Sequence, residues 1–211
     1  MKQLSDETIE RTLRPYGVSA GALLCDQIRV YIDLLLRWNQ KTSLTTVTDP
    51  TEILRFHFGE CLLAVSTVPI RYGRLADVGS GAGFPAVPIR MVSERLSVIL
   101  IESNQKKATF LMEIVRALGL EHIDVRRSRM DSVSLDGTNE EKVDFITARA
   151  IGIDDKFLNW AHKSLNSRGS VVLWLGTADA NEISQKIGWK WADSILVPQS
   201  NNRVILHGSK L

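Results

Sequence analysis

The stretch Asp77-Val78-Gly79-Ser80-Gly81-Ala82-Gly83 constrains what this chain can fold into more than any other. Three alternate glycines free the backbone for positive φ and let a ligand approach the main chain closely. The apolar run Leu75 to Val78 just before it reads as a buried parallel strand. After the turn, Ala86 to Val92 resumes apolar character at helical spacing, with Pro85 tolerated in the first turn. A second buried strand, Ser97 to Ile101, ends on the acidic residue Glu102. Strand, glycine turn, helix, strand and terminal carboxylate make half of a nucleotide-binding α/β unit.

The spacing selects the ligand. A dinucleotide turn of the form G-x-G-x-x-G would need glycine at position 84, where Phe84 stands. The form D-x-G-x-G-x-G resembles motif I of S-adenosylmethionine-dependent methyltransferases. The resemblance implies S-adenosyl-L-methionine as cofactor, which has an amino-acid tail and a sulfonium but no pyrophosphate. Such a ligand asks for close backbone approach and a carboxylate more than for a phosphate nest. Glu102, at the end of the next strand, can accept both ribose hydroxyl hydrogens.

With 211 residues the chain has room for one α/β domain and a modest extension. No apolar run approaches the ~20 residues of a membrane helix, and Met1 to Glu10 is too polar for a signal peptide. Cys25 and Cys61 sit inside helical patterns, which favours buried thiols over a disulfide. A net charge of +2 permits an RNA partner without demanding one. The expectation is a cytoplasmic monomer.

Residues 5–66 read as helical, with no strand. Ser5 is the N-cap of a first helix, with Asp6 and Glu7 suiting its positive end. Ser19 caps a longer second helix, whose Leu24, Ile28, Tyr31, Leu35 and Trp38 form one apolar stripe. That stripe needs a surface to cover it, and the α/β domain supplies one. Asp49-Pro50-Thr51-Glu52 has the cap, proline and N3 acid of a third helix start. Gly73 marks the boundary between a helical extension over 1–70 and the sheet domain over 71–211.

Beyond Glu102 the alternation continues. Asn104 caps a helix with Ala108, Leu111, Met112, Val115 and Leu118 on one face, closed by Gly119. Strands are expected over 122–127, 143–147 and 171–175, and helices over 155–165 and near 181–187. Two last strands, over 194–197 and 203–207, form a hairpin and give the sheet an antiparallel edge. The fold class is therefore a Rossmann-like α/β sheet preceded by helices. In open sheets of this kind the ligand lies outside the carboxyl ends of the strands, at the switch in strand order. The site should be assembled from Gly79 to Phe84, Glu102, Arg129 to Asp131, Arg149 and Leu175-Gly176.

Across most of its length the chain resembles the ribosomal RNA small subunit methyltransferase G family, also called glucose-inhibited division protein B. The matching pieces are Ser43-Leu44-Thr45, Asp49 to Ile53, Arg55, His57, Gly79 to Pro85, Glu102 to Lys107, Phe110-Leu111, Ser128-Arg129 and Arg149-Ala150. The resemblance implies methylation of guanine N7 in 16S ribosomal RNA, free or in the small subunit. It places Gly79, Ser80, Gly81, Gly83 and Phe84 at the cofactor, the first and last of these at its methionine end. Glu102 would hold the ribose, Met130 and Asp131 the adenine, and Arg149 would stand beside the methyl-transfer site as cofactor contact and catalytic residue. The chain departs from the family pattern at Ser43, Glu60-Cys61, Ala86 and Met130-Asp131. The largest departure is Leu175, where the family offers lysine.

The missing motifs narrow the reaction independently. Exocyclic-amine methylation would be signalled by Asn or Asp with Pro-Pro and an aromatic after the fourth strand, where Ala148-Arg149-Ala150 stands. Carbon-5 pyrimidine methylation needs a nucleophilic thiolate, and the two cysteines lie outside the sheet-end turns. Guanine N7 carries no proton and needs no general base, only in-line alignment. Scattered histidines and two distant cysteines give no metal-ligand spacing. Plainer roles stay open for single residues: Arg149 pairing with Asp144 or Asp154, Arg126 to Arg129 as a solvated face, and His57 as a satisfied helix residue. Two other functions also stay open, a methyltransferase of different specificity and a non-catalytic RNA- or ribosome-binding module.

Overall fold

A computed structural model describes residues 4–137 and 141–211. The first part of the chain is helical. Helix α1 (Asp6–Leu13) is capped by Ser5, whose hydroxyl accepts the Thr8 amide, and runs into a short 3-10 turn over Arg14–Tyr16. Helix α2 (Ala22–Asn39) starts later than the sequence suggests, with Gly21 and not Ser19 at its N-cap. Asp49 caps α3 (Pro50–Ile53), whose end passes without a break through a π-turn (Leu54–Gly59) into α4 (Glu60–Thr67). A single π-turn has no sequence signal of its own, and such turns recur at functional sites.

The strands of the sheet are β1 (Tyr72–Val78), β2 (Arg95–Ile101), β3 (Ile123–Arg126), β4 (Val143–Arg149), β5 (Leu165–Gly176), β6 (Trp189–Trp191), β7 (Ile195–Leu196) and β8 (Arg203–Lys210). Their order is β3-β2-β1-β4-β5-β8-β6, with β7 also paired to β8. The first five run parallel, and β8 is antiparallel to β5, β6 and β7. The expected hairpin exists. The antiparallel part is larger than expected, because the short strand β6 borders β8 as well.

Helices α5 (Ala86–Met91), α6 (Gln105–Ala117), α7 (Asp155–Ser164) and α8 (Thr177–Ile183) connect the strands. In α6 the buried residues are Ala108, Phe110, Leu111 and Ile114, while Met112 faces solvent at 53% exposure. The stripe on α2 is covered as the spacing requires: Ile28, Tyr31 and Leu35 are buried in one apolar cluster with Phe84, Leu100, Phe110 and Leu111. A second cluster on the other face of the sheet holds Ala76, Ile99, Ile146, Phe157 and Leu173. The strand order reverses between β1 and β4, so the carboxyl ends of β1, β2 and β4 open onto one crevice.

Candidate active site

The glycine turn is held from three sides. From the sheet, the Gly79 and Ser80 amides donate to the Ile101 carbonyl at 2.9 and 3.1 Å, and the buried Ser80 hydroxyl donates to the Asp77 carbonyl at 3.0 Å. From the helical extension, the Tyr31 hydroxyl donates to the Ala82 carbonyl at 2.6 Å. From the next strand, the Glu102 carboxylate accepts the Gly81 amide at 2.9 Å and the Asn104 amide at 2.7 Å. Gly79 adopts φ +70, and a Cβ there would lie 2.7 Å from the Ile151 side chain. At Gly81, with φ +55, a Cβ would meet only the Gly79 carbonyl at 3.7 Å, so no protein atom fills that space.

A cleft of about 350 Å³ opens beside this turn, lined by Gly79, Glu102, Met130, Asp131, Ile151 and Asp154 among others. Four of the expected cofactor residues therefore share one surface: Gly79, Glu102, Met130 and Asp131. Ser80 lies beneath the turn. Gly81 meets the cleft's carboxylate through its amide, and Gly83 caps the turn by donating to Ser80 O at 2.6 Å. Phe84 is turned away. Its ring stacks on Tyr31, meets His57 at 4.8 Å between centroids, and meets Phe58 edge-on at 5.5 Å. Asp131 is itself paired, with Lys156 at 2.9 Å and Arg129 at 3.6 Å, and these cations hold its carboxyl below the usual range. Arg126 pairs with Asp124 at 2.7 Å, so two of the three clustered arginines already face acids.

Below the turn, Asp77 is fully buried. Thr147 donates to one of its oxygens at 2.6 Å and the other has no partner among the described residues. Burial pushes its pKa up to about 6, against the Thr147 hydrogen bond that holds it down.

Arg149 ends β4 and points toward the helical extension, away from Asp144 and Asp154. Its guanidinium donates to the Phe56 carbonyl at 2.9 Å and to His57 Nδ1 at 3.2 Å, and lies 3.2 Å from Glu60 Oε2. Asp154 instead caps α7, and Asp144 accepts the Arg74 amide and the Asn166 side chain. Since Nδ1 accepts from Arg149, the neutral His57 ring carries its proton on Nε2 and donates to Thr45 Oγ1 at 2.8 Å. Burial, with Arg149 and Arg203 nearby, lowers the His57 pKa to about 3. His57 is thus a satisfied, uncharged helix residue.

Cys61 is closer to the strand ends than its sequence position suggests. Its sulfur lies 3.3 Å from Arg149 Nη1. Burial nevertheless pushes its pKa up to about 12, so it stays a protonated thiol and no nucleophile. Glu60 is 2% exposed and also pairs with Arg203, whose Nη2 is 2.7 Å from Oε1 but off the hydrogen-bond direction. Sequence reasoning missed both Glu60 and Arg203 as site residues. A buried acid on a helix was the one available signal for Glu60, and Arg203 had none.

Arg149, Leu175, Gly176, Arg203 and Glu60 line a second cleft, of about 260 Å³. The chain from Arg149 to Gly152 divides it from the first: Arg149 and Ala150 line one side, Ile151 and Gly152 the other. Ala150, on that ridge, adopts φ +57, a left-handed conformation that a Cβ disfavours.

The family model described as rRNA small subunit methyltransferase G matches residues 24–196. The chain belongs to that family. The ribosomal RNA small subunit methyltransferase G of Syntrophotalea carbinolica is 31% identical over 207 residues, 96% of this chain and 93% of that one. The protein of the same name from Nitrosomonas europaea is 37% identical over 136 residues, 64% of this chain and 61% of its own length. Among solved structures, a SAM-dependent methyltransferase from Aquifex aeolicus superposes with a TM-score of 0.66 at 17% identity, over 80% of this chain and 97% of that one. The YcgJ protein from Bacillus subtilis gives 0.59 at 12% identity, over 73% and 99%. The fold is that of S-adenosylmethionine-dependent methyltransferases, and S-adenosylmethionine is the family's cofactor.

The donor set of the first cleft fits that cofactor. Each Glu102 oxygen accepts one backbone amide and retains a lone pair for a ribose hydroxyl. The space over Gly81 is open to a ligand. No helix among the described residues is long and apolar enough to cross a membrane.

Proposed function

We propose that this protein methylates guanine N7 in small-subunit (16S) ribosomal RNA, acting on the free RNA or the small subunit. The observation that carries the reading is the pair of clefts set back to back across the Arg149–Gly152 ridge. One has a carboxylate and a glycine turn; the other has guanidinium groups and an apolar wall. A donor and an acceptor held in them would meet at the ridge.

In this reading Glu102 orients the ribose, Met130 and Asp131 border the adenine, and Gly79, Ser80, Gly81 and Gly83 form the floor under the methionine end. Phe84 acts from behind, its ring fixing the turn against Tyr31. The bound cofactor supplies an electrophilic methyl group on a sulfonium. Arg149 borders the acceptor and, through Glu60, fixes the wall on which it rests. No proton has to leave N7, which suits a cleft behind which His57 is fully engaged and Cys61 is a buried, protonated thiol. The helical extension over 1–70 serves the domain over 71–211 by buttressing the glycine turn.

Incubation with methyl-labelled cofactor and small-subunit RNA, free and in subunits, tests this directly. Nucleoside analysis should find the label in 7-methylguanosine. Label in any other nucleoside, or none on either substrate with the cofactor bound, would overturn the reading.

A further inference from the structure

Around the buried Glu60 the fold gathers three guanidinium groups from distant parts of the chain. Arg149 comes from β4 and Arg203 from the first position of β8, opposite Gly176 in the register. Arg55 comes from the π-turn. The Arg55 and Arg203 guanidiniums both lie against the ring of Phe56, at 4.2 and 4.9 Å from its centroid. One carboxylate cannot balance three such groups. Arg149 is nearly spent on it, being 13% exposed and also bound to Phe56 O and His57. Arg203 is 38% exposed, lines the cleft and reaches Glu60 with one nitrogen, so its fork keeps donors that Glu60 does not use. The rest of that cleft is apolar: Ala150, Leu175, Val197 and Val204 line it.

We propose that this second cleft is a nucleotide-backbone subsite, in which Arg203, helped by Arg55 on the same Phe56 ring, holds an RNA phosphodiester beside the target base. It rests on the functional reading above and adds a phosphate-binding pair to it. A cation rim matches the phosphate, since guanidinium forks bind such oxygens in pairs. The apolar wall matches the face of the attached sugar. Phe56 sets the spacing of the two arginines, and Glu60 anchors Arg203 so that the fork needs no ordering when RNA arrives. Arg203 then stands one register position from Leu175 and supplies a cation to a strand end whose own residue is uncharged.

The test is equilibrium binding of a small-subunit RNA fragment as a function of salt, with the full chain and S-adenosylmethionine present. Arg203→Gln and Arg55→Gln should each weaken binding about tenfold, as for a charged hydrogen bond. Each should also flatten the log–log salt slope, by about 0.7 in total when both are replaced, one phosphate contact on a single strand. Arg203→Lys should keep the slope. Inorganic phosphate at fixed ionic strength should compete with RNA for the wild type and lose that effect in Arg203→Gln. Cofactor affinity should stay unchanged, because the ridge separates the clefts. Unaltered slopes in both glutamine variants would overturn the proposal. If Arg203→Gln does not fold, Arg55→Gln decides alone, since Arg55 is half-buried and rests on the Phe56 ring. Loss of transfer activity by the wild type with these slopes intact would overturn the methylation reading and leave the subsite standing.

Discussion

Tyr31 lies parallel to Phe84, ring centroids 5.1 Å apart at an interplanar angle of 6°, and its hydroxyl donates to the Ala82 carbonyl. One residue of the helical extension therefore grips the glycine turn by both its face and its tip. Tyr31→Phe keeps the stack and leaves a buried carbonyl unpaired, a loss of about 1–3 kcal/mol. Urea unfolding should read that loss, and calorimetry should show weaker cofactor binding. Native values for both would mean that the turn holds itself.

Glu102→Ala should weaken S-adenosylmethionine binding by roughly 2–3 kcal/mol, the worth of paired hydrogen bonds to a charge. The structure adds a second effect. The Gly81 and Asn104 amides lose their acceptor, so the melting temperature should fall too, even without cofactor. Calorimetry giving wild-type affinity would remove Glu102 from the site.

Asp77 makes stability depend on pH. Its pKa is about 6 in the fold and 3.8 ordinarily, so folding takes up a proton between those values. Its contribution to stability is full below about pH 4 and is lost as pH rises through about 6, a swing of roughly 3 kcal/mol. Asp77→Asn keeps an acceptor for Thr147 and should flatten that part of the profile, gaining most above pH 7. Guanidinium unfolding at pH 5 and pH 8 measures it. Equal slopes in variant and wild type would place the ionisation elsewhere.

Arg149→Met leaves the buried Glu60 with Arg203 as its remaining ion-pair partner. Breaking a buried pair from one side costs about 3–5 kcal/mol, and the remaining arginine should bring the loss toward the lower figure. Glu60→Gln with Arg149→Met should lose less than the two single losses added, because the stranded charge is gone. A strictly additive cycle would show that the two residues do not depend on each other.

Leu175→Lys places a cation in the cleft that Arg149 and Arg203 line. Transfer to RNA should rise, with each tenfold gain equal to about 1.4 kcal/mol of barrier, and cofactor affinity should not move. Unchanged transfer with an unchanged melting curve would mean that Arg203 already fills the role.

Much of this was legible in the sequence, for local reasons. The glycine turn, the strand-end acid, the Ser5, Asp49 and Asn104 caps and the α2 stripe each declare themselves within a few residues. The acceptor side did not. Arg149 meets Glu60 and Arg203 meets Phe56 only after distant segments pack, and no periodicity encodes such contacts. Ala150 carries a left-handed φ that alanine gives no reason to expect. Phe84 follows the motif so closely that a ligand role was natural, yet its ring belongs to the aromatic cluster against α2. Strand β6 is three residues long, too short for alternation to mark it.

The position of β8 bears on how the protein is made. It lies between β5 and β6 in the sheet, although it follows both in the chain. During synthesis the parallel half, from β1 to β4, can assemble as it leaves the ribosome. Strand β5 must wait with one edge bare until Arg203 to Lys210 emerge. Arg203 opens that strand, so the second cleft is completed only after the glycine turn and Glu102 have formed. A nascent chain halted before it would already have its glycine turn and Glu102, and would lack one wall of the second cleft.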